Sequence, residues 1–151
     1  MKIAIASDHA GFELKEKIKK FLESLNYEYK DFGTNSNESV DYPDYALKVA
    51  ERVSKKEYDR GILICGSGIG MSMVANKVPG IRAALCYNVE IAKLSREHND
   101  SNVLTMGSRM IDEKIAKDIV RVWLTTEFLG ERHLRRVKKI EEIEKKYCRN
   151  I

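Results

Sequence analysis

Gly61-Ile62-Leu63-Ile64-Cys65-Gly66-Ser67-Gly68-Ile69-Gly70 is the stretch on which the fold turns. Ile62, Leu63 and Ile64 form an uninterrupted apolar run, the pattern of a strand buried on both faces. The run delivers Cys65 into a turn containing Gly66, Gly68 and Gly70, and Met71 to Lys77 then reads as a helix. A thiol at the mouth of a parallel sheet, beside bare backbone amides and a helix N-terminus, suits a thiolate and an anion. No Asp or Glu occurs between Gly66 and Lys77, so Cys65 is the nearest base if this site moves a proton. The turn is not the phosphate loop, because Lys77 stands too far along to serve as its lysine, and it lacks the dinucleotide spacing G-x-G-x-x-G. Two readings of the turn stay open at this level: an oxyanion nest of successive amides, or a tight strand-to-helix turn whose glycines serve packing.

On either side of this stretch, short β-like runs alternate with helical patterns. Lys2–Ser7, Tyr27–Phe32, Gly61–Cys65, Ile81–Cys86 and Val103–Met106 are the expected strands. Leu14, Ile18, Phe21, Leu22 and Leu25 recur at helical spacing between the first two, and Tyr45, Ala46, Val49, Ala50 and Val53 repeat the pattern from Asp44 to Val53. Asp41 offers that second helix a capping oxygen and Pro43 an early proline. Asn88 and Asp112 are expected to cap two more helices. A last helix begins near Glu131, with Leu134, Val137, Ile140, Ile143 and Tyr147 on or near one face. The alternation predicts an α/β protein: a single-domain, three-layer α/β/α sandwich over residues 1–151 with a five-stranded parallel sheet of Rossmann-like type. Such sheets bind ligands outside the carboxyl ends of their strands. The residues there are Asp8-His9, Gly33 and its loop, Cys65-Gly66-Ser67, Tyr87-Asn88 and Gly107-Ser108-Arg109. The polar loop from Gly33 to Val40 is expected to be mobile.

Composition removes several classes of function. Lys and Arg (27) exceed Asp and Glu (23) by too little to argue for nucleic acid, and no basic stripe is interleaved with aromatics. Cysteines at 65, 86 and 148 fit neither a disulfide framework nor a metal knuckle. The N-terminal residues resemble neither a signal peptide nor a membrane anchor, and a reducing cytoplasm is the expected compartment.

The other candidates are individually ambiguous. Most cysteines are inert and buried, but the strand-end position favours a reactive Cys65. Asp8 either caps a helix or binds a ligand, and His9 beside it proves nothing alone. His98, in the polar turn His98-Asn99-Asp100, is a solvated loop residue, a helix C-cap, or an acid or base near neutral pH. Arg132 and Arg136 share a helix face at i, i+4, which is either a solvated basic surface or a grip on a phosphate, and Arg109 could be a third anion ligand.

Taken together, these residues resemble a known family. Ser7-Asp8-His9-Ala10-Gly11-Phe12, Asp41-Tyr42-Pro43-Asp44-Tyr45-Ala46 and Cys65-Gly66-Ser67-Gly68-Ile69-Gly70-Met71-Ser72 match the type B ribose-5-phosphate isomerases. So do Ala75-Asn76-Lys77-Val78-Pro79-Gly80-Ile81-Arg82-Ala83-Ala84, His98-Asn99-Asp100 and Arg132-His133-Leu134-Arg135-Arg136-Val137. Ser67 stands where members commonly carry Thr, which keeps the hydroxyl and loses a methyl. The resemblance implies interconversion of ribose 5-phosphate and ribulose 5-phosphate through an enediolate. Cys65 would be the base. The amides of Gly66, Ser67, Gly68, Ile69 and Gly70, with the Ser67 hydroxyl, would hold the enediolate oxygen. Asp8 and His9 would meet sugar hydroxyls, His98 would open the furanose ring, and Asn99 would bind the intermediate. Arg109, Arg132 and Arg136 would hold the phosphate. It also implies a homodimer or tetramer with sites shared between subunits, and no metal or cofactor; composition and the lack of a long apolar stretch already argue for no nucleic acid and no membrane as partners. Allose 6-phosphate or galactose 6-phosphate isomerase is the near alternative. A non-catalytic phosphosugar-binding module and a flavodoxin-like nucleotide domain are the distant ones.

Overall fold

Ile3, Ile5, Ile62, Leu63, Ile64, Leu104 and Met106 are wholly excluded from solvent. Runs of this kind can be satisfied only if helices cover both faces of the sheet. The computed structural model, which describes residues 1–148, has that arrangement. Its strands are β1 (Lys2–Ser7), β2 (Glu28–Asp31), β3 (Arg60–Cys65), β4 (Ala83–Leu85) and β5 (Val103–Gly107). Its helices are α1 (Phe12–Ser24), α2 (Tyr42–Ser54), α3 (Ile69–Ala75), α4 (Val89–Glu97), α5 (Glu113–Thr125) and α6 (Arg132–Tyr147).

The strands lie in the order β2-β1-β3-β5-β4 and every pairing is parallel, so all carboxyl ends share one edge. Leu14, Ile18 and Leu22 of α1 pack with Ile119, Val120 and Trp123 of α5 on one face. Ala46, Val49 and Val53 of α2 pack with Met71 and Ala75 of α3 on the other. The connection passes from β1 outward to β2 and then returns to β3 on the opposite side. The switch point therefore lies between β1 and β3, where a crevice opens at their carboxyl ends.

Several local expectations shift. β4 is shorter than the expected Ile81–Cys86, being an edge strand paired only with β5. β2 is likewise trimmed to Glu28–Asp31. α3 starts earlier than Met71 because Gly68, at φ 80°, turns the chain directly into it. Asp41 occupies the N-cap of α2 without making a side-chain bond there, and Pro43 in the first turn sets the helix start. Asn88 and Asp112 do cap, accepting from the Ile91 and Ile115 N–H groups at 2.8 Å each. The Gly33–Val40 loop, expected to be loose, is fastened at both ends. Ser7 exchanges backbone bonds with Gly33 and Thr34 at 2.8 Å, and the Val40 N–H donates to His9 Nδ1 at 3.1 Å. On α6 only His133 and Val137 are buried; Leu134, expected in apolar contact, is exposed with Ile140, Ile143 and Tyr147.

One backbone contact sets the carboxyl edge. A Cβ on Gly107 would stand 2.5 Å from the Ser67 carbonyl carbon and 2.6 Å from its oxygen. Neither atom belongs to a side chain that could swing away. Gly107→Ala is expected to lower stability by about 1–3 kcal/mol, the range for overpacking, read as a lower urea midpoint at unchanged slope.

Candidate active site

β3 ends at Cys65, whose side chain faces the α2–α3 layer and is 4% exposed. The Gly68 N–H donates to Cys65 Sγ at 3.1 Å, a bond that negative charge on sulfur would strengthen. Ser67 Oγ accepts from the Ile69 N–H at 3.2 Å, which leaves the hydroxyl proton free to donate outward. Two of the five amides proposed for an anion, those of Gly68 and Ile69, are therefore engaged inside the turn. The Gly66, Ser67 and Gly70 N–H groups make no hydrogen bond within the described residues. Gly70 faces the Tyr42 ring, which a Cβ there would meet at 2.5 Å.

The neighbouring strand ends complete one side. Ser108 and Arg109 donate their N–H groups to the Cys65 and Gly66 carbonyls at 2.8 and 3.0 Å. The Arg109 guanidinium lies over the turn, within 2.9 Å of where a Gly66 Cβ would be. Asp8, buried after β1, accepts from the Gly11 N–H through Oδ1 at 3.0 Å. One oxygen thus shapes the start of α1, and the other keeps its capacity. His9 uses Nδ1 to accept from Val40, so a neutral ring carries its proton on Nε2 as a donor. A cleft of about 470 Å³ runs between Asp8, Cys65, Gly66, Ser67, Ile69, Gly70 and Arg109, with Tyr42, Met73 and Met110 on its apolar rim.

The remaining predicted residues are elsewhere. His98, Asn99, Arg132 and Arg136 line a second cleft of about 300 Å³ with His133, Val137 and Ile140. The turn that carries His98 and Asn99 is rigidly built. Asp100 takes Arg96 Nη1 at 2.9 Å on one carboxylate oxygen and Arg82 Nη2 at 3.2 Å on the other. Arg96 also reaches the Ser101 and Thr126 carbonyls. Leu129 donates to the Glu97 carbonyl at 3.1 Å and so brings the start of α6 to this turn. His133 stacks on His98 with ring centres 4.2 Å apart and planes 10° from parallel. Burial, then His98, Arg132 and Arg136, hold the His133 imidazole below its ordinary range, so near neutral pH it is an uncharged platform.

A single chain therefore brings Cys65 together with Asp8, Ser67 and Arg109, and His98 together with Asn99, Arg132 and Arg136, but the two sets line different clefts. Sequence reasoning did not assign Tyr42, Met73, Met110 or His133. Tyr42 and His133 lay inside matched blocks; the exposed apolar residues of α3 and of the segment after Arg109 carried no local signal. Among the described residues no group of His, Cys, Asp and Glu is arranged to hold a metal ion, and no helix is long and apolar enough to cross a membrane.

The profile of the ribose/galactose isomerases matches residues 3–140. Ribose-5-phosphate isomerase B of Escherichia coli is 49% identical over 145 residues, which is 96% of this chain and 97% of that one. The solved ribose-5-phosphate isomerase B of Clostridium thermocellum superposes with a TM-score of 0.96 at 60% identity, covering 97% of this chain and 99% of its own. The Mycoplasma genitalium ribose-5-phosphate isomerase B, solved with bound ribulose 5-phosphate, gives 0.92 at 43% identity over 95% and 96% of the two chains. With the profile matching residues 3–140 and relatives matching nearly end to end, the chain belongs to the ribose/galactose isomerase family.

Proposed function

We propose that this protein interconverts ribose 5-phosphate and ribulose 5-phosphate, with Cys65 as the base. The observation that carries the reading is the Cys65 sulfur, held by the Gly68 N–H in the crevice between β1 and β3. Aldose–ketose isomerisation needs one base to move one proton, donors for the enediolate oxygen, and a grip on the phosphate. The thiolate takes the C2 proton of the open-chain aldose. The electron pair forms the C1–C2 double bond, and O1 takes a proton. Return of the proton from sulfur to C1, with loss of the O2 proton, gives the ketose with no change in overall oxidation state. The free Ser67 hydroxyl proton and the Gly66, Ser67 and Gly70 N–H groups are the available donors to the enediolate. The open Asp8 oxygen and His9 Nε2–H suit sugar hydroxyls, and Arg109 suits an anion.

In this reading His98, Asn99, Arg132 and Arg136 serve the Cys65 cleft of a second copy, in a homodimer or tetramer. The separation of the two clefts supports it. So does α6, whose Ile140, Ile143 and Tyr147 are 46%, 60% and 73% exposed in one chain. They border an apolar groove of about 510 Å³ with Ile81, Ala83 and Ala84. His98 would open the furanose ring, and the arginines would use the distant phosphate to orient the reacting carbons. A cytoplasmic, reducing setting suits a free-thiol base, and Cys65, Cys86 and Cys148 are all unpaired.

Rates on ribose 5-phosphate, allose 6-phosphate and galactose 6-phosphate test the substrate, and the pentose phosphate is expected to lead. Cys65→Ala is expected to abolish exchange of the C2 proton with solvent while leaving substrate binding nearly intact. Isomerase activity retained in that variant would overturn the thiolate mechanism. Removing the Arg136 guanidinium as Arg136→Ala should weaken the phosphosugar by about 1.5–3 kcal/mol, the scale of a hydrogen bond to a charged group, and leave free ribose almost unaffected. Mixing inactive Cys65→Ala and His98→Asn subunits should restore activity, because a mixed dimer holds one intact site. No recovery after demonstrated subunit exchange would confine both residues to one chain's site.

A further inference from the structure

Lys15 is a fully buried ammonium that the chemistry above does not use. It stands in the second turn of α1, and its Nζ donates to Asp31 Oδ1 at 2.7 Å and to the Thr34 carbonyl at 2.5 Å. Its Nζ also lies 5.6 Å from the centre of the Phe12 ring. Asp31 accepts in addition from the Gly33 N–H at 2.8 Å and from Lys19 at 2.9 Å. Burial by itself would raise the Asp31 carboxyl; the bonds from Lys15, Lys19 and Gly33 outweigh it and hold the carboxyl below its ordinary range, so Asp31 is a carboxylate near neutral pH. A buried ion pair is weak evidence for stability, because an apolar side chain of similar volume often does as well. The question is what the pair holds.

It holds the root of the Gly33–Val40 loop. Gly33 and Thr34 extend the ladder on β1 at Ser7, the residue before Asp8. The other end of the loop closes on His9 through the Val40 N–H. Two residues later Tyr42 enters the rim of the Cys65 cleft. The loop is thus a strap whose root is clamped by Lys15 and whose end fixes the ring of His9. We propose that Lys15, paired with Asp31, is a positioning residue that holds this strap and through it aligns Asp8 and His9 with Cys65. The proposal rests on the reading that Asp8 and His9 meet the sugar.

Lys15→Met keeps an unbranched side chain, one atom shorter, and removes the charge and the donors at Nζ. It is expected to lower kcat/KM for ribose 5-phosphate about tenfold or more, since small misplacements in a site are costly. Competitive inhibition by inorganic phosphate and the rate of Cys65 alkylation by iodoacetamide should stay within about twofold of the parent. Hydrogen exchange at the Val40 amide should rise. Asp31→Asn should show the same pattern to a smaller degree, and it supplies the test if Lys15→Met fails to fold. A folded variant with parental kcat/KM, whatever its melting temperature, would overturn the proposal. So would parallel loss of phosphate inhibition and alkylation, which would mean general collapse of the site. If the unmodified protein does not isomerise ribose 5-phosphate, the functional reading fails on its own. The Val40 exchange then decides the strap separately, and unchanged exchange in both variants overturns it.

Discussion

The contact between the Gly107 and Ser67 backbones is the constraint from which the carboxyl edge of the sheet is built. It lets β5 run close beside the end of β3, so that Ser108 and Arg109 bond the Cys65 and Gly66 carbonyls. Those bonds hold the base of the glycine turn. With the base held, Gly68 adopts its left-handed conformation and turns an N–H onto the Cys65 sulfur. The same approach carries the Arg109 guanidinium over Gly66. A side chain at Gly66 would meet the Arg109 guanidinium at 2.9 Å, and one at Gly107 would meet the Ser67 backbone at 2.5 Å.

Polar groups near the site are shared between shape and function. Asp8 spends one oxygen on Gly11, and Ser67 accepts from Ile69 while keeping its proton. His9 spends Nδ1 on Val40, which sets the position of its remaining proton. Each bond reduces the number of orientations the side chain can take before any ligand arrives, which is how preorganisation lowers the cost of binding. Around His98 the same work is done by Arg96 and Arg82, which grip Asp100 from two sides, and by the uncharged His133 ring against His98.

The amino-acid sequence by itself determined the layer architecture. Uninterrupted apolar runs, helical periodicity between them and the glycine turn after Cys65 are local properties, so they can be read from neighbours in the chain. Cys65, the Asp8-His9 pair and the His98 turn stood out as candidates for the same reason: each lies at a strand end or a helix end. The matched blocks implied roles for these candidates that residue type alone left open. The tertiary structure decided what required distant segments to meet. Lys15 is no part of the apolar pattern of its helix, and it is buried only because Asp31 and Thr34 close over it. The Gly33–Val40 loop reads as loose until Ser7 and His9 tie its ends. Leu134 belongs to the apolar stripe of α6, yet within one chain only Val137 of that stripe finds cover, because a helix face is buried only by what packs against it. The division of the site residues between two clefts has the same origin: spacing along the chain fixes neither which strand lies next to which nor where α6 comes to rest.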